Sequence, residues 1–116
     1  MFGNCYNLKN VIFKNCTSLY ELGSKIFQND SGITNLDFSE CTSLKYVNSV
    51  AFQNCTSLTE INFSGCTLST ISSDAFNGCS SLSRIIVKDE DSKQKILAAL
   101  QSSGLNTAQI EIVIKA

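Results

Sequence analysis

Six cysteines are the residues of this chain whose type and spacing could support chemistry. The tetrapeptide Cys-Thr-Ser-Leu occurs at 16–19, at 41–44 and at 55–58, and Cys-Ser-Ser-Leu occurs at 79–82. A cysteine thiolate can attack a substrate, bind a metal or, after oxidation, form a disulfide. Each of these roles requires further residues close to the cysteine.

The residues that usually accompany a catalytic or metal-binding cysteine are missing. The chain has no histidine, which is the commonest general base and metal ligand, and it has no Cys-x-x-Cys pair. We therefore expect no metal, no other cofactor and no enzymatic activity. The formal charge of −1 makes nucleic acid an unsuitable partner, because its binders need a basic face. The longest apolar run, at 96–100, is too short to span a membrane, and the first ten residues do not resemble a signal peptide.

The cysteine positions reveal an internal repeat. They are separated by 11, 25, 14, 11 and 13 residues, and Asp30 divides the gap of 25 into 14 and 11. Apolar residues keep this phase, because the segments that begin at Leu8, Ile33, Leu58 and Leu82 follow the pattern L-x-x-L-x-L. Four matches in one register are strong evidence for leucine-rich repeats, whose signature this pattern is.

A second motif narrows the resemblance. The pattern Ala-Phe-x-x-Cys-x-x-Leu-x-x-Ile stands at 51–61 and at 75–85, and it resembles the BspA-like (Treponema-type) leucine-rich repeats. The resemblance extends from residue 2 to about residue 88, although the proline that the family often places after the strand is absent. It implies a leucine-rich repeat solenoid of the α/β class, made mostly of strand and loop. Because Phe2 begins in the middle of a repeat, we expect the C-terminal part of a longer array.

The repeat also predicts where the core lies. Alternating apolar and polar residues favour strands at 10–13, 35–38, 60–63 and 84–87, which stack as a short parallel sheet of about four coils. One coil cannot bury its own apolar face, so neighbouring coils must pack on each other. We place these repeats at residues 1–88 and expect three phenylalanines to close the core opposite the sheet. They are Phe27, Phe52 and Phe76.

Residues 89–116 depart from the repeat and are predicted to form a C-terminal cap. A helix is expected at about 92–103, with Asp91 as its N-cap and Gly104 after its C-terminal end. A strand is expected at about 109–115, since apolar and polar residues alternate there. A cap of this kind would cover the apolar face of the last coil. The strand residues that are expected to face the core are Ile110, Ile112 and Ile114.

Within this repeat the cysteines are best interpreted as structural residues. A disulfide framework stays open, because the number of cysteines is even. However, cysteines in one column of a repeat point in the same direction, whereas a disulfide requires a specific torsion. Free cysteine is among the most buried residue types, so we expect small buried side chains that contact the backbone. One column contains Cys16, Cys41 and Cys66, and the other contains Cys5, Cys55 and Cys79.

The resemblance implies protein binding through the exposed side chains of the strands. The first exposed column contains Asn10, Asn35, Glu60 and Arg84. The middle column contains Ile12, Asp37, Asn62 and Ile86. Its two isoleucines are apolar where water is expected, and the second of them could instead lie under the cap. A separate exposed strip, whose tyrosines suit protein contacts, contains Tyr20, Lys45 and Tyr46.

These expectations favour a non-catalytic protein-interaction module. The resemblance implies a larger cell-surface or secreted protein that mediates adhesion or partner binding through the exposed strand face. The alternative is an intracellular scaffold or regulatory domain of the same fold. The sequence does not identify the protein partner, and the open N-terminal end of the repeats could also support self-association.

Overall fold

The computed structural model describes residues 9–115 as two parallel sheets, one α-helix and the turns that connect them. The predictions for Phe2, Cys5 and Leu8 lie outside the described residues. In chain order the strands are β1 (Asn10–Ile12), β2 (Glu21–Leu22), β3 (Asn35–Asp37), β4 (Tyr46–Val47), β5 (Glu60–Asn62), β6 (Thr70–Ile71), β7 (Arg84–Val87) and β8 (Glu111–Ile114). Helix α1 (Glu90–Ser102) and a short 3-10 helix (Thr107–Gln109) lie between β7 and β8. No helix within residues 9–115 is long and apolar enough to cross a membrane.

The first sheet contains five parallel strands in the order β1-β3-β5-β7-β8. Its first four strands confirm the parallel sheet that the repeat predicts, although β1, β3 and β5 each end one residue earlier than expected. The register pairs residues one double step apart, such as Asn10 with Asn35 and Asn35 with Glu60. The fifth strand, β8, pairs with β7, so the C-terminal segment extends the same sheet.

A second parallel sheet, which the sequence analysis does not predict, contains the short strands β2, β4 and β6. Each of them has only two residues, so none shows the alternation by which a strand can be recognised. Leu22 pairs in register with Val47, and Val47 pairs with Ile71. Leu22 and Val47 are buried, so this sheet contributes to the core.

Two columns of phenylalanine rings fill the core between the coils. One column contains Phe13, Phe38 and Phe63, and the other contains Phe27, Phe52 and Phe76. Rings stack within a column; the centroids of Phe27 and Phe52 are 5.6 Å apart at an interplanar angle of 2°. Rings of different columns meet edge to face, as Phe38 and Phe52 do at 6.4 Å and 61°. Both arrangements suit the quadrupoles of aromatic rings, so one repeated residue type can fill the space between the walls.

The residue two positions after each phenylalanine of the second column has a positive φ. Asn29, Asn54 and Gly78 have φ values of 63°, 61° and 79°. Asparagine and glycine adopt this region more readily than other residues, which explains why they share this repeat position. The side-chain amide of Asn54 donates to Oδ1 of Asn29 at 3.0 Å and links two coils. A Cβ at Gly78 would lie 2.3 Å from Oδ1 of Asn54, so a side chain there would displace this amide.

The N-terminal end of helix α1 differs from the prediction, because its N-cap is Asp89 and not Asp91. Asp89 has an extended backbone (φ −154°, ψ 174°), and its Oδ1 accepts the N–H of Ser92 at 2.8 Å. Asp91 lies in the first turn, where its carboxylate is 2.7 Å from Nζ of Lys95. The helix therefore begins at Glu90, two residues before the predicted start.

The C-terminal end of helix α1 is a Schellman motif that contains Gly104. The helix ends at Ser102, and Gly104 has a φ of 78°. The N–H of Gly104 donates to the carbonyl of Gln101 at 3.0 Å, and the N–H of Leu105 donates to that of Leu100 at 3.1 Å. These two bonds satisfy carbonyl groups that the helix itself leaves free.

The isoleucines of the C-terminal strand are buried to different degrees. Ile110 and Ile112 are half-buried and pack against the core. Ile114 is 44% exposed, so the expectation that its side chain is buried against the core is wrong. It is in register with buried Val87 and projects to the same face, but no strand within residues 9–115 lies beyond β8. The division into repeats at 1–88 and a cap at 89–116 stays a prediction.

Candidate protein-binding surface

The exposed face of the first sheet forms a groove of about 320 Å³ across β1, β3 and β5. Six of the eight residues that line it belong to the predicted binding columns. The lining residues are Asn10, Val11, Ile12, Asn35, Leu36, Asp37, Glu60 and Asn62. The parallel register brings these residues together, because it places side chains that are about 25 positions apart in the sequence on adjacent strands.

Hydrogen bonds and ion pairs connect the first column along the sheet. The side-chain amide of Asn35 donates to Oδ1 of Asn10 at 2.9 Å. Further along, the guanidinium of Arg84 lies 3.6 Å from Glu60 and 3.6 Å from Glu111. Glu111 is not among the predicted binding residues, although the change of charge from Glu60 to Arg84 indicates an acidic neighbour on the next strand. These exposed pairs orient the side chains more than they stabilise the fold.

The middle column contains one exposed apolar residue and two half-buried polar residues. Ile12 is 57% exposed at one end of the groove. Asp37 Oδ1 accepts the N–H of Ser39 at 2.8 Å, and Asn62 Oδ1 accepts the N–H of Ser64 at 2.9 Å. Such bonds to the backbone two residues ahead define Asx turns, so both side chains help to end their strands. They stay accessible at the groove floor but have this structural role as well.

Ile86 does not belong to the exposed face. Only 5% of its surface is accessible, so the expectation that it is exposed is wrong, and its burial agrees with the alternative of a position beneath the C-terminal segment. Its neighbours in register are Asn62 on β5 and Val113 on β8, which project to the same side of the sheet. Because β8 adds a half-buried valine beside it, Ile86 loses the exposure that Ile12 has.

The strip of Tyr20, Lys45 and Tyr46 lies along the second sheet and takes no part in the groove. Tyr20 and Tyr46 are 57% and 38% exposed. The carbonyl of Tyr20 accepts the N–H groups of Lys45 and Tyr46, at 2.9 and 3.2 Å, so the strip is held by backbone bonds between two coils. Lys45 and Tyr46 also line a separate hollow of about 330 Å³ next to helix α1. Lys95 and Asp91 of that helix line the same hollow.

The five cysteines within residues 9–115 lie in the core or pack against it. Cys41, Cys55, Cys66 and Cys79 are buried and Cys16 is half-buried, and all five have free thiols. The thiols of three of them donate to phenylalanine carbonyls of the preceding coil, for example Cys66 to Phe38 at 3.3 Å.

Burial raises the pKa of the Cys41 and Cys66 thiols from 9.0 to about 12. At neutral pH these side chains are therefore uncharged and poor nucleophiles. Within residues 9–115 no group of three or more cysteine, aspartate or glutamate residues is arranged to hold a metal ion.

Comparison with known proteins agrees with the repeat pattern. The chain matches the family described as BspA type leucine rich repeat region, in six copies over residues 1–111. No curated protein and no solved structure matches the chain. The match covers nearly all of the 116 residues and extends beyond residue 88, where the motif resemblance ended. Leucine-rich repeats are generally non-enzymatic binding modules that use extended exposed surfaces. The chain belongs to the BspA-type leucine-rich repeat family.

Proposed function

We propose that this chain is a short solenoid that acts as a non-catalytic protein-interaction module and binds its partner through the groove on the first sheet. The observation that carries this proposal is Ile12, an isoleucine that is 57% exposed at one end of a groove lined by five polar residues. Protein interfaces commonly surround an apolar contact with a polar rim. Small-molecule sites, in contrast, are lined mostly by apolar side chains.

The charges of the groove define the chemistry of the partner. Asp37 and Glu60 line the groove, and no basic residue within residues 9–115 does. Arg84 lies beyond the groove and already contacts two glutamates. A partner segment with a lysine or arginine beside an apolar side chain would complement both the carboxylates and Ile12.

Family membership supports a place for this module in a larger cell-surface or secreted protein that mediates adhesion or partner binding. An intracellular scaffold of the same fold is the second candidate. One observation favours it: the five cysteines within residues 9–115 are free, which suits a reducing compartment. Labelling of the parent protein on intact cells with a membrane-impermeant reagent separates the two. Failure to label the parent protein on intact cells, with labelling after lysis, would contradict the surface assignment.

The strand-face proposal is tested by capture of proteins on two matched variants. Ile12→Glu places a charge on the groove, and Tyr20→Glu places the same charge on the second sheet at a residue with the same exposed fraction. Captured proteins are quantified on wild type and on both variants by mass spectrometry. A partner of the groove is retained by wild type and Tyr20→Glu and is lost on Ile12→Glu. If every captured protein is lost on Tyr20→Glu alone, the binding surface is the strip on the second sheet.

A further inference from the structure

Strand β8 has one edge to which no strand within residues 9–115 is paired. The N–H groups of Glu111 and Lys115 donate to carbonyls of the β7 segment at 2.8 and 2.7 Å. Backbone groups alternate in direction along a strand, so the N–H and C=O groups of Ile112 and Ile114 point away from β7. Such a row of outward groups is a template for another strand.

We propose that this edge is a dimerisation site and that its occupant is β8 of a second copy, in antiparallel orientation. In the proposed register Ile112 lies opposite Ile114 of the second copy, and Val113 lies opposite Val113. The two isoleucines carry the outward backbone groups, so each opposite pair can exchange both of its hydrogen bonds. The arrangement has two-fold symmetry, which closes the assembly at two copies.

Charge complementarity selects this register. With Ile112 opposite Ile114, Glu111 of each copy faces Lys115 of the other, so two ion pairs form at the ends of the paired segment. If Ile112 faced Ile112, Glu111 would lie opposite Val113. If Ile114 faced Ile114, Lys115 would lie opposite Val113. Only in the proposed register does each charged side chain face a side chain of the other sign. Such ion pairs between facing residues stabilise the pairing of two strands.

The exposed apolar surface of β8 favours the same arrangement. Ile114 is 44% exposed and Ile112 is half-buried, although both project to the core face of the sheet. A second copy would place an isoleucine beside each of them and continue the core across the dimer. Natural sheets often protect an open edge with proline, a bulge or inward charges. Residues 109–115 contain no proline, and their two charged side chains, Glu111 and Lys115, alternate with the inward isoleucines and so do not point inward.

The dimer would also change how the groove meets a partner. The two-fold axis of a continuous sheet is perpendicular to the sheet, so both strand faces lie on the same side. One dimer would then present two grooves to one surface. Two linked sites bind a surface that carries several copies of the partner far more tightly than one site does.

The test is sedimentation velocity of the 116-residue chain at low salt, over protein concentrations from about 1 to about 300 µM. Wild type is expected to shift from monomer to dimer within this range. Lys115→Glu and Glu111→Lys each place like charges opposite one another at both ends, and each should weaken dimerisation by roughly tenfold. The double variant Glu111→Lys/Lys115→Glu exchanges the charges and should dimerise more tightly than either single variant, while loss of the Arg84–Glu111 contact keeps it weaker than wild type. Lys14→Glu, which makes the same charge change on the segment after β1, is the control and should have no effect.

A second variant tests the backbone contacts. Ile114→Pro removes an N–H that points away from β7, so the β7–β8 ladder keeps its hydrogen bonds while the outward edge loses a donor. This variant is expected to stay monomeric with the circular dichroism of wild type. If it unfolds, the charge variants decide. A wild type that stays monomeric overturns the proposal, as do single charge reversals that dimerise like wild type or a double variant that dimerises no better than either single.

Discussion

Phe52 and Phe38 are the two residues at which the aromatic core predicts the largest loss of stability, because each contacts four other rings. Phe52 is the one that has a matched control. Its ring is fully buried and contacts four other rings, at centroid distances of 5.4 to 6.5 Å. Replacing a buried phenylalanine by alanine costs about 3–5 kcal/mol, because the transfer energy is lost and a cavity remains. Each aromatic pair adds about 0.5–1.5 kcal/mol beyond the buried area. We expect Phe52→Ala to lie at the upper end of this range.

Phe76→Ala is the matched control. Phe76 is equally buried, but the ring of Phe52 is its one stacking contact within residues 9–115. Phe52→Ala should therefore lower the free energy of unfolding by at least about 1 kcal/mol more than Phe76→Ala. Urea titrations at 25 °C followed by circular dichroism measure both values, and an unchanged m-value confirms that the same transition is compared. An equal or smaller loss for Phe52→Ala would refute the argument that its three additional ring contacts, one within its column and two with the other column, stabilise the core.

Three further predictions concern a close contact, a helix cap and a buried thiol. A Cβ at Gly65 would lie 1.9 Å from a backbone oxygen of the neighbouring coil. Gly65→Ala should therefore lower the free energy of unfolding by about 1–3 kcal/mol in a urea titration. Gly23→Ala, which has open space around it, should leave that free energy unchanged. Asp89→Ala should destabilise the protein by about 0.5–2 kcal/mol and shorten α1, because the cap bond to Ser92 is lost. Asp91→Ala, which loses an exposed ion pair, should cost less than about 0.5 kcal/mol. If Asp91→Ala cost more than Asp89→Ala, the cap assignment would be contradicted. The folded pKa of Cys66 is raised from 9.0 to about 12, so its contribution to stability is complete below pH 9 and is lost as the pH rises above 9. Stability measured from pH 8 to pH 11 should therefore fall more steeply for wild type than for Cys66→Ala, and equal slopes would count against burial of this thiol.

The sequence predicts the core of this molecule well because the core repeats. A single coil with leucine and phenylalanine at set positions is ambiguous, but four coils in one phase specify which residues face inward. The strands at β1, β3, β5 and β7 and the buried Phe27, Phe52 and Phe76 follow from that phase alone. The second sheet could not be predicted in the same way, because two residues per strand contain no period.

The ends of the elements depend on short-range competition that a pattern does not resolve. Asp89 and Asp91 both have the side chain that an N-cap needs, and the extended backbone of Asp89 decides between them. Alternation predicts that Ile86 projects to the exposed face and Ile114 to the core, because it gives the direction of a side chain but not what covers it. Ile86 is buried because β8 is added beside it, and Ile114 is exposed because the described sheet ends there.

The positions that repeat most faithfully are the least informative about binding. The thiol of Cys66 and the side-chain amide of Asn54 each bond to the neighbouring coil, so their recurrence follows from contact between successive copies. A partner can distinguish one coil from the next only where the copies differ. On the first sheet the column of Ile12, Asp37 and Asn62 changes from apolar to acidic to neutral polar within three strands. Because Asp37 and Asn62 also end their strands, replacement of the 57% exposed Ile12 is the more direct test of recognition in this column.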